Sequence, residues 1–166
     1  VLAVVGALGV GGCGASVSVS GRVISNNGPY LAAWDQGWKA VERDSVPYIP
    51  TSASPGVCNR GGVKTECSET DSHVAVDLAR LYESLRSVSV PSQYHSAATQ
   101  SLQAIKIYVH ALSLRMHSLE AGPYTEAERD AWFTQAKALM LEANTLAQQA
   151  YALFPQWARP TPAPII

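Results

Sequence analysis

Residues 91–154 read PSQYHSAATQSLQAIKIYVHALSLRMHSLEAGPYTEAERDAWFTQAKALMLEANTLAQQAYALF. Ala98, Leu102, Ile105, Val109, Leu112, Met116 and Leu119 recur at spacings of three and four, and so do Trp132, Ala136, Leu139, Ala143, Leu146, Ala150 and Leu153. At 3.6 residues per turn each set forms one apolar stripe, the signature of an amphipathic helix. Between them, Gly122 offers the left-handed conformation that closes a helix and Pro123 stops it from continuing. Thr125, three residues before Glu128, forms a capping box that opens the next helix. A connection this short makes the two helices antiparallel neighbours. At about 28 residues, each would be roughly 42 Å long.

Two shorter helices precede this hairpin. Asn26-Asn27-Gly28-Pro29 is a turn signal, with Pro29 suited to a first helical position, and Leu31, Trp34, Trp38 and Val41 form a stripe running to about Asp44. Pro47, Pro50 and Pro55 then exclude helix, so residues 45–67 are expected as an extended loop. Ser68, Thr70, Asp71 and Ser72 all offer caps, with Ser68 and Asp71 at capping-box spacing. The second helix is expected to follow them, with Val74, Leu78, Leu81 and Leu85 inward, ending near Val88. These two helices are expected to be about half the length of the later pair. Four such helices point to an all-α, antiparallel up-down four-helix bundle over residues 29–154, in one domain of a 166-residue chain. The tail 155–166, PQWARPTPAPII, is proline-rich and expected to be irregular.

Composition narrows the partners. Net charge is −1, and the 12 Lys and Arg are scattered rather than striped, so nucleic acid is not an expected partner. Charged residues make up 15% of the chain, against roughly 25% in an average soluble domain. Helix faces that would carry Glu and Lys carry Ser, Thr, Gln and Ala instead. Either the surface is simply neutral, or a partner covers part of it.

Residues 1–12, VLAVVGALGVGG, carry no charge. The run is too short to span a membrane, which takes about 20 apolar residues, and has the length and small-residue ending of a signal-peptide core. With no Met or basic segment ahead of it, the true start is expected upstream of Val1. Val10-Gly11-Gly12-Cys13 resembles the lipobox of bacterial envelope lipoproteins: an aliphatic residue and two small ones before a cysteine. The resemblance implies that residues 1–12 are a signal-peptide remnant and that Cys13 carries a diacylglycerol thioether. It also implies an extracytoplasmic domain, periplasmic or extracellular, held to the membrane by that lipid. Residues 13–28 would be the lipidated cysteine and a small, polar, flexible tether. Two other readings stand beside it: cleavage elsewhere with Cys13 incidental, or a Gly-rich opening strand of a cytosolic protein.

Cys58 and Cys67 are separated by NRGGVKTE, whose Gly61-Gly62 permits a tight reversal. In an oxidising compartment a disulfide is expected there, stapling the loop between the first two helices and adding roughly 2–3 kcal/mol. Cys13 is then the odd cysteine, and lipidation accounts for it.

Motifs for chemistry are sparse. Di-iron bundles need Glu-x-x-His on two helices, and none occurs in the chain. Cys-x-x-Cys-His, a phosphate-binding Gly-Lys-Ser/Thr loop and Gly-x-Ser-x-Gly are missing too. Weak metal candidates are His73 with Asp77, one turn apart, and His110 with His117, seven residues apart and so roughly 10 Å along the axis. The bland reading of these histidines is surface; His95 reads as core-edge. Trp34 and Trp38 read as core, Trp132 as the opening of the last stripe. Trp157, in the tail, either docks on the bundle or belongs to an interaction segment. Tyr30, Tyr94, Tyr108 and Tyr124 are spread over several elements and define no ligand cage. The expected function is a non-enzymatic, lipid-anchored binding or interaction protein of the cell envelope, without cofactor. The alternatives are an accessory subunit of a larger membrane assembly, or a small-ligand or metal-binding bundle.

Overall fold

The computed structural model describes residues 17–19, 22–24, 28–45 and 64–154. Cys13, Cys58, Trp157, residues 1–12 and most of the expected loop therefore lie outside the described residues. Within the stretch read as a tether, β1 (Val17–Val19) and β2 (Arg22–Ile24) pair antiparallel, Val17 opposite Ile24. Val17, Val19, Val23 and Ile24 are β-branched and suit extended backbone.

Four α-helices follow among the described residues: α1 (Gly28–Ser45), α2 (Lys64–Ser87), α3 (His95–Leu119) and α4 (Glu126–Ala152). A 3₁₀ turn, Ser92–Tyr94, leads into α3, held by the Tyr94 amide donating to the Pro91 carbonyl at 2.8 Å. Each helix packs on the next in sequence. The pairings run antiparallel: Gly37 meets Leu81 and Arg43 meets Asp77 across α1–α2. Asp71 meets Arg115 and Lys106 sits over the Tyr82 ring across α2–α3. Arg115 meets Met140, and Tyr94 meets Phe154, across α3–α4. Trp38 on Tyr108 and Trp34 on Phe154 bring α1 back against α3 and the end of α4. The architecture is an up-down four-helix bundle, as the periodicity predicts.

Small residues decide how close α3 and α4 come. Ala136, Ala143, Ala147 and Ala150 form the buried stripe of α4, against Ala97, Ala104 and Ala111 on α3. Side-chain size at the contact sets the interaxial distance, so these alanines let the two longest helices approach closely. The bulky rings Tyr30, Trp34, Trp38, Tyr94, Tyr108 and Phe154 gather where α1 covers the hairpin. At 18 residues α1 is the shortest of the described α-helices, and the far end of the α3–α4 hairpin extends beyond it.

Several expectations are corrected. The second helix begins at Lys64, not after Ser68–Asp71, and with 24 residues it nearly matches α3. The residues read as caps are engaged otherwise: Thr70 Oγ1 donates to the Glu66 carbonyl at 2.8 Å within the helix, and Asp71 pairs with Arg115. Cys67 accordingly sits buried in the first turn of α2 rather than in the loop. On α3 the buried face is wider than the predicted stripe, because α3 packs on both α2 and α4. Ala104, Tyr108, Ala111 and Arg115 are buried, while Leu102, Val109, Met116 and Leu119 are half-buried. At the end of α4, Leu153 is 46% exposed and Phe154 turns inward in its place. Gly122 has no left-handed backbone: α3 ends with Glu120 extended, at φ −62° and ψ 139°.

Candidate functional site

The far end of the hairpin is built by local chemistry. At Gly122 a Cβ would lie 2.9 Å from the Tyr124 ring, so the glycine makes room for that ring to fold back. Tyr124 then meets Trp132 edge-on, centroids 4.9 Å apart, and the His117 ring lies 6.0 Å from Trp132 on its other partner helix. Thr125 caps α4 as predicted: its hydroxyl accepts from the Glu128 amide at 3.3 Å, and its own amide donates to Glu128 Oε2 at 2.7 Å. That amide and the Thr125 hydroxyl hold the Glu128 carboxyl below its ordinary range. Arg129 Nη2 donates to the Gly122 carbonyl at 3.2 Å, tying the turn to the first coil of α4.

The result is an aromatic tip with little covering it. Tyr124 is 38% exposed and Phe133 37%; the half-buried Trp132 meets Tyr124 and is the sequence neighbour of Phe133. Leu141, two turns beyond Phe133 on the same side of α4, is 70% exposed. Lys137 lies between them in sequence, its ammonium 5.8 Å from the Phe133 ring centre. Contiguous apolar patches on a protein surface mark contact sites, and aromatic side chains contribute most to them.

Two polar clusters cross-link the helices behind the tip. Arg115 donates from Nε to Asp71 Oδ2 at 2.8 Å and from Nη2 to Asp71 Oδ1, while Nη1 reaches Met140 Sδ at 3.6 Å. Asp71 is fully buried. Between α1 and α2, Asp77 accepts from Arg43 and Arg80, each at 3.4 Å, and Arg43 Nε donates to Asp44 at 2.6 Å. Burial, then the neighbouring Asp44, raise the Asp77 carboxyl above its ordinary range; the hydrogen bond from Arg43 holds Asp44 below it.

The sequence candidates fall at separate places. His73 is exposed on α2, close enough to Asp44 to help hold that carboxyl ionised, while Asp77 one turn on engages the two arginines. His110 is exposed on α3; His117 stands at the tip with Nδ1 3.2 Å from Glu120 Oε2. His95 is exposed, its Nε2 3.1 Å from the Val90 carbonyl. Among the described residues no three His, Cys, Asp or Glu come together as a metal would require, and no helix is long and apolar enough to cross a membrane. Tyr30, Tyr94 and Tyr108, carried by three different elements, meet in one ring cluster with Trp34, Trp38 and Phe154, while Tyr124 lies apart at the tip.

Sequence reading passed over the Asp71–Arg115 pair and the exposed tip. Arg115 gave a signal, as the one cation between the apolar positions Leu112 and Met116. Phe133 and Leu141 gave another, being large apolar residues off the predicted stripe of α4. Compared with known protein families, with curated proteins and with solved structures, the chain matches none.

Proposed function

We propose that this chain is a non-enzymatic interaction protein of the bacterial cell envelope, anchored by lipid at Cys13, and that the aromatic tip of the α3–α4 hairpin is its contact surface. The observation that carries the reading is the exposure of Tyr124 and Phe133 around Trp132, on a hairpin end that α1 does not cover. Aromatic side chains supply much of the binding energy in protein interfaces because they bury a large area with few rotatable bonds. The lipobox-like Val10-Gly11-Gly12-Cys13 supports the anchor, and the short spacing of Cys58 and Cys67 across Gly61-Gly62 supports a bond between them. Leu141 extends the same surface, which also suits the second reading, an accessory subunit packed into a larger membrane assembly.

Intact mass of the protein purified from its native membrane, with and without reduction, tests the anchor and the bond. A mass beginning at Cys13 with acyl chains, gaining about two daltons on reduction as two thiols form, is expected; an unlipidated chain retaining Val1 with three free thiols would sink the envelope reading. A photo-crosslinking residue at Phe133, compared with one at Ser84 on α2, tests the surface. A discrete adduct from Phe133 alone is expected, and equal labelling from both positions counts against the tip.

A further inference from the structure

Three stretches without Asp, Glu, Lys or Arg meet at one end of the bundle: residues 28–34 opening α1, 87–105 from the end of α2 into α3, and 143–154 closing α4. Far apart in sequence, they are gathered at the end opposite the tip by Tyr30, Tyr94 and Phe154, whose ring centres lie 5.3–6.4 Å apart. The helix charges that border this base balance. Asp35 pairs with Lys39 at 2.6 Å and Glu83 with Arg86 at 3.8 Å, while Lys106 on α3 and Glu142 on α4 are one of each sign. The other end differs. Residues 118–131, across the α3–α4 turn, carry Glu120, Glu126, Glu128 and Asp130 against a single Lys or Arg, Arg129.

The base also presents apolar groups: Leu153 is 46% exposed, Pro29 and Ala152 are exposed, and Val88, Val90 and Tyr151 are half-buried. An uncharged surface loses little on leaving water for the edge of a bilayer, whereas each charge would carry a large desolvation cost. A bilayer with anionic lipid repels an acidic tip and leaves a neutral base unopposed.

Chain length brings this end to the membrane. β1 and β2 fold back with Val17 opposite Ile24, so of the steps from Cys13 to Gly28 only four on each side of the hairpin add reach. Fully extended, those eight steps and the gap between the strands span about 33 Å. A lipid on Cys13 keeps the start of α1 within that distance.

We propose that this uncharged end rests on the surface of the lipid bilayer that holds the Cys13 anchor, with the acidic tip turned away from it. The inference depends on that anchor and goes beyond it, since the anchor alone would leave the bundle free to turn on its tether.

The test uses the full lipidated chain in vesicles of phosphatidylcholine and phosphatidylglycerol in equal parts, with a photo-crosslinking residue at Gln93 in the base or at Phe133 in the tip. Adducts carrying the mass of one phospholipid are expected from Gln93 and not from Phe133. Leu153→Glu, at an exposed position, should abolish the Gln93 adducts; should that variant fold poorly, Ala152→Glu provides the same comparison. Adducts that survive the added carboxylate count against the proposal. Intact mass of the same sample separates two failures. A lipidated chain with no lipid adduct from Gln93, or with equal adducts from both positions, overturns the proposal and leaves the anchor standing. An unlipidated chain from the native membrane overturns both. In native membranes, a protein adduct from Gln93 in place of lipid would assign this end to a partner protein and overturn the proposal as well.

Discussion

Arg115 on α3 grips Asp71 on α2 through two parallel hydrogen bonds, one from Nε and one from Nη2, inside the bundle. A guanidinium and a carboxylate match in this two-point geometry, which fixes both side chains and the register of the helices that carry them. Taking both charges out of water is costly, so the pair specifies the packing more than it stabilises it.

Breaking the pair from one side strands a charge. Arg115→Met or Asp71→Asn alone should each cost about 3–5 kcal/mol, whereas Arg115→Met with Asp71→Leu should recover most of that loss. Urea denaturation of the two single variants and the double variant checks it; additive losses would mean the two residues act separately.

Gly37 lies against Leu81, where a Cβ would come 2.3 Å from Leu81 Cδ1 and 3.1 Å from its Cβ and Cγ. Leu81 is buried and has nowhere to go. Alanine favours helix by about 1 kcal/mol over glycine, yet crowding of this kind costs about 1–3 kcal/mol. Gly37→Ala should therefore leave the protein less stable by about 1 kcal/mol, read from chemical denaturation, and a gain would show that α1 can shift away from α2.

Thr125→Ala removes the hydroxyl that caps α4 and partners Glu128. Tm should drop by about 2–4 °C at neutral pH. Because Glu128 is held below its ordinary range, its contribution is present above that range and fades as pH falls through the lowered value. The gap between Glu128→Gln and the parent should accordingly shrink in acid, as a series of melts would show.

Asp77 has the opposite sign. Its carboxyl is raised by burial and by Asp44, so the folded chain holds this proton more tightly than the unfolded chain does. That stabilisation is complete below the ordinary aspartate value of about 3.9 and is lost as pH rises through the raised value. Asp44, held low by Arg43, contributes above the ordinary range and loses that contribution as pH falls. Asp77→Asn should gain stability relative to the parent as pH rises from about 4; denaturation midpoints across that range decide it, and a constant difference would contradict it.

The parts of the fold legible in sequence are those with local causes. Val74, Leu78, Leu81 and Leu85 are all buried, as helical spacing predicts, and Thr125 and Glu128 cap α4 by a motif four residues long. The parts that escaped depend on residues far apart. Asp71 reads as a cap until Arg115, 44 positions away, is seen to claim it. Phe154 replaces Leu153 in the core because three rings from α1 and the 3₁₀ turn wait at that place. Tyr30, Tyr94 and Tyr108 scatter along the chain but share one assembly once the helices fold back. The tip was half legible: its turn and cap were, but its exposure depends on where α1 ends.

Phe154 closes α4 against Tyr30 and Trp34, so the entry to the first helix and the exit from the last lie side by side. The Tyr124 turn sits at the other extreme, one full α4 away: 27 residues, or about 40 Å. A tether joined ahead of α1 would thus hold Tyr124 and Phe133 at a set stand-off from its attachment point, like the head of a mast. Adding or removing matched turns in α3 and α4 would change that reach by about 5 Å each, leaving the ring-packed foot untouched.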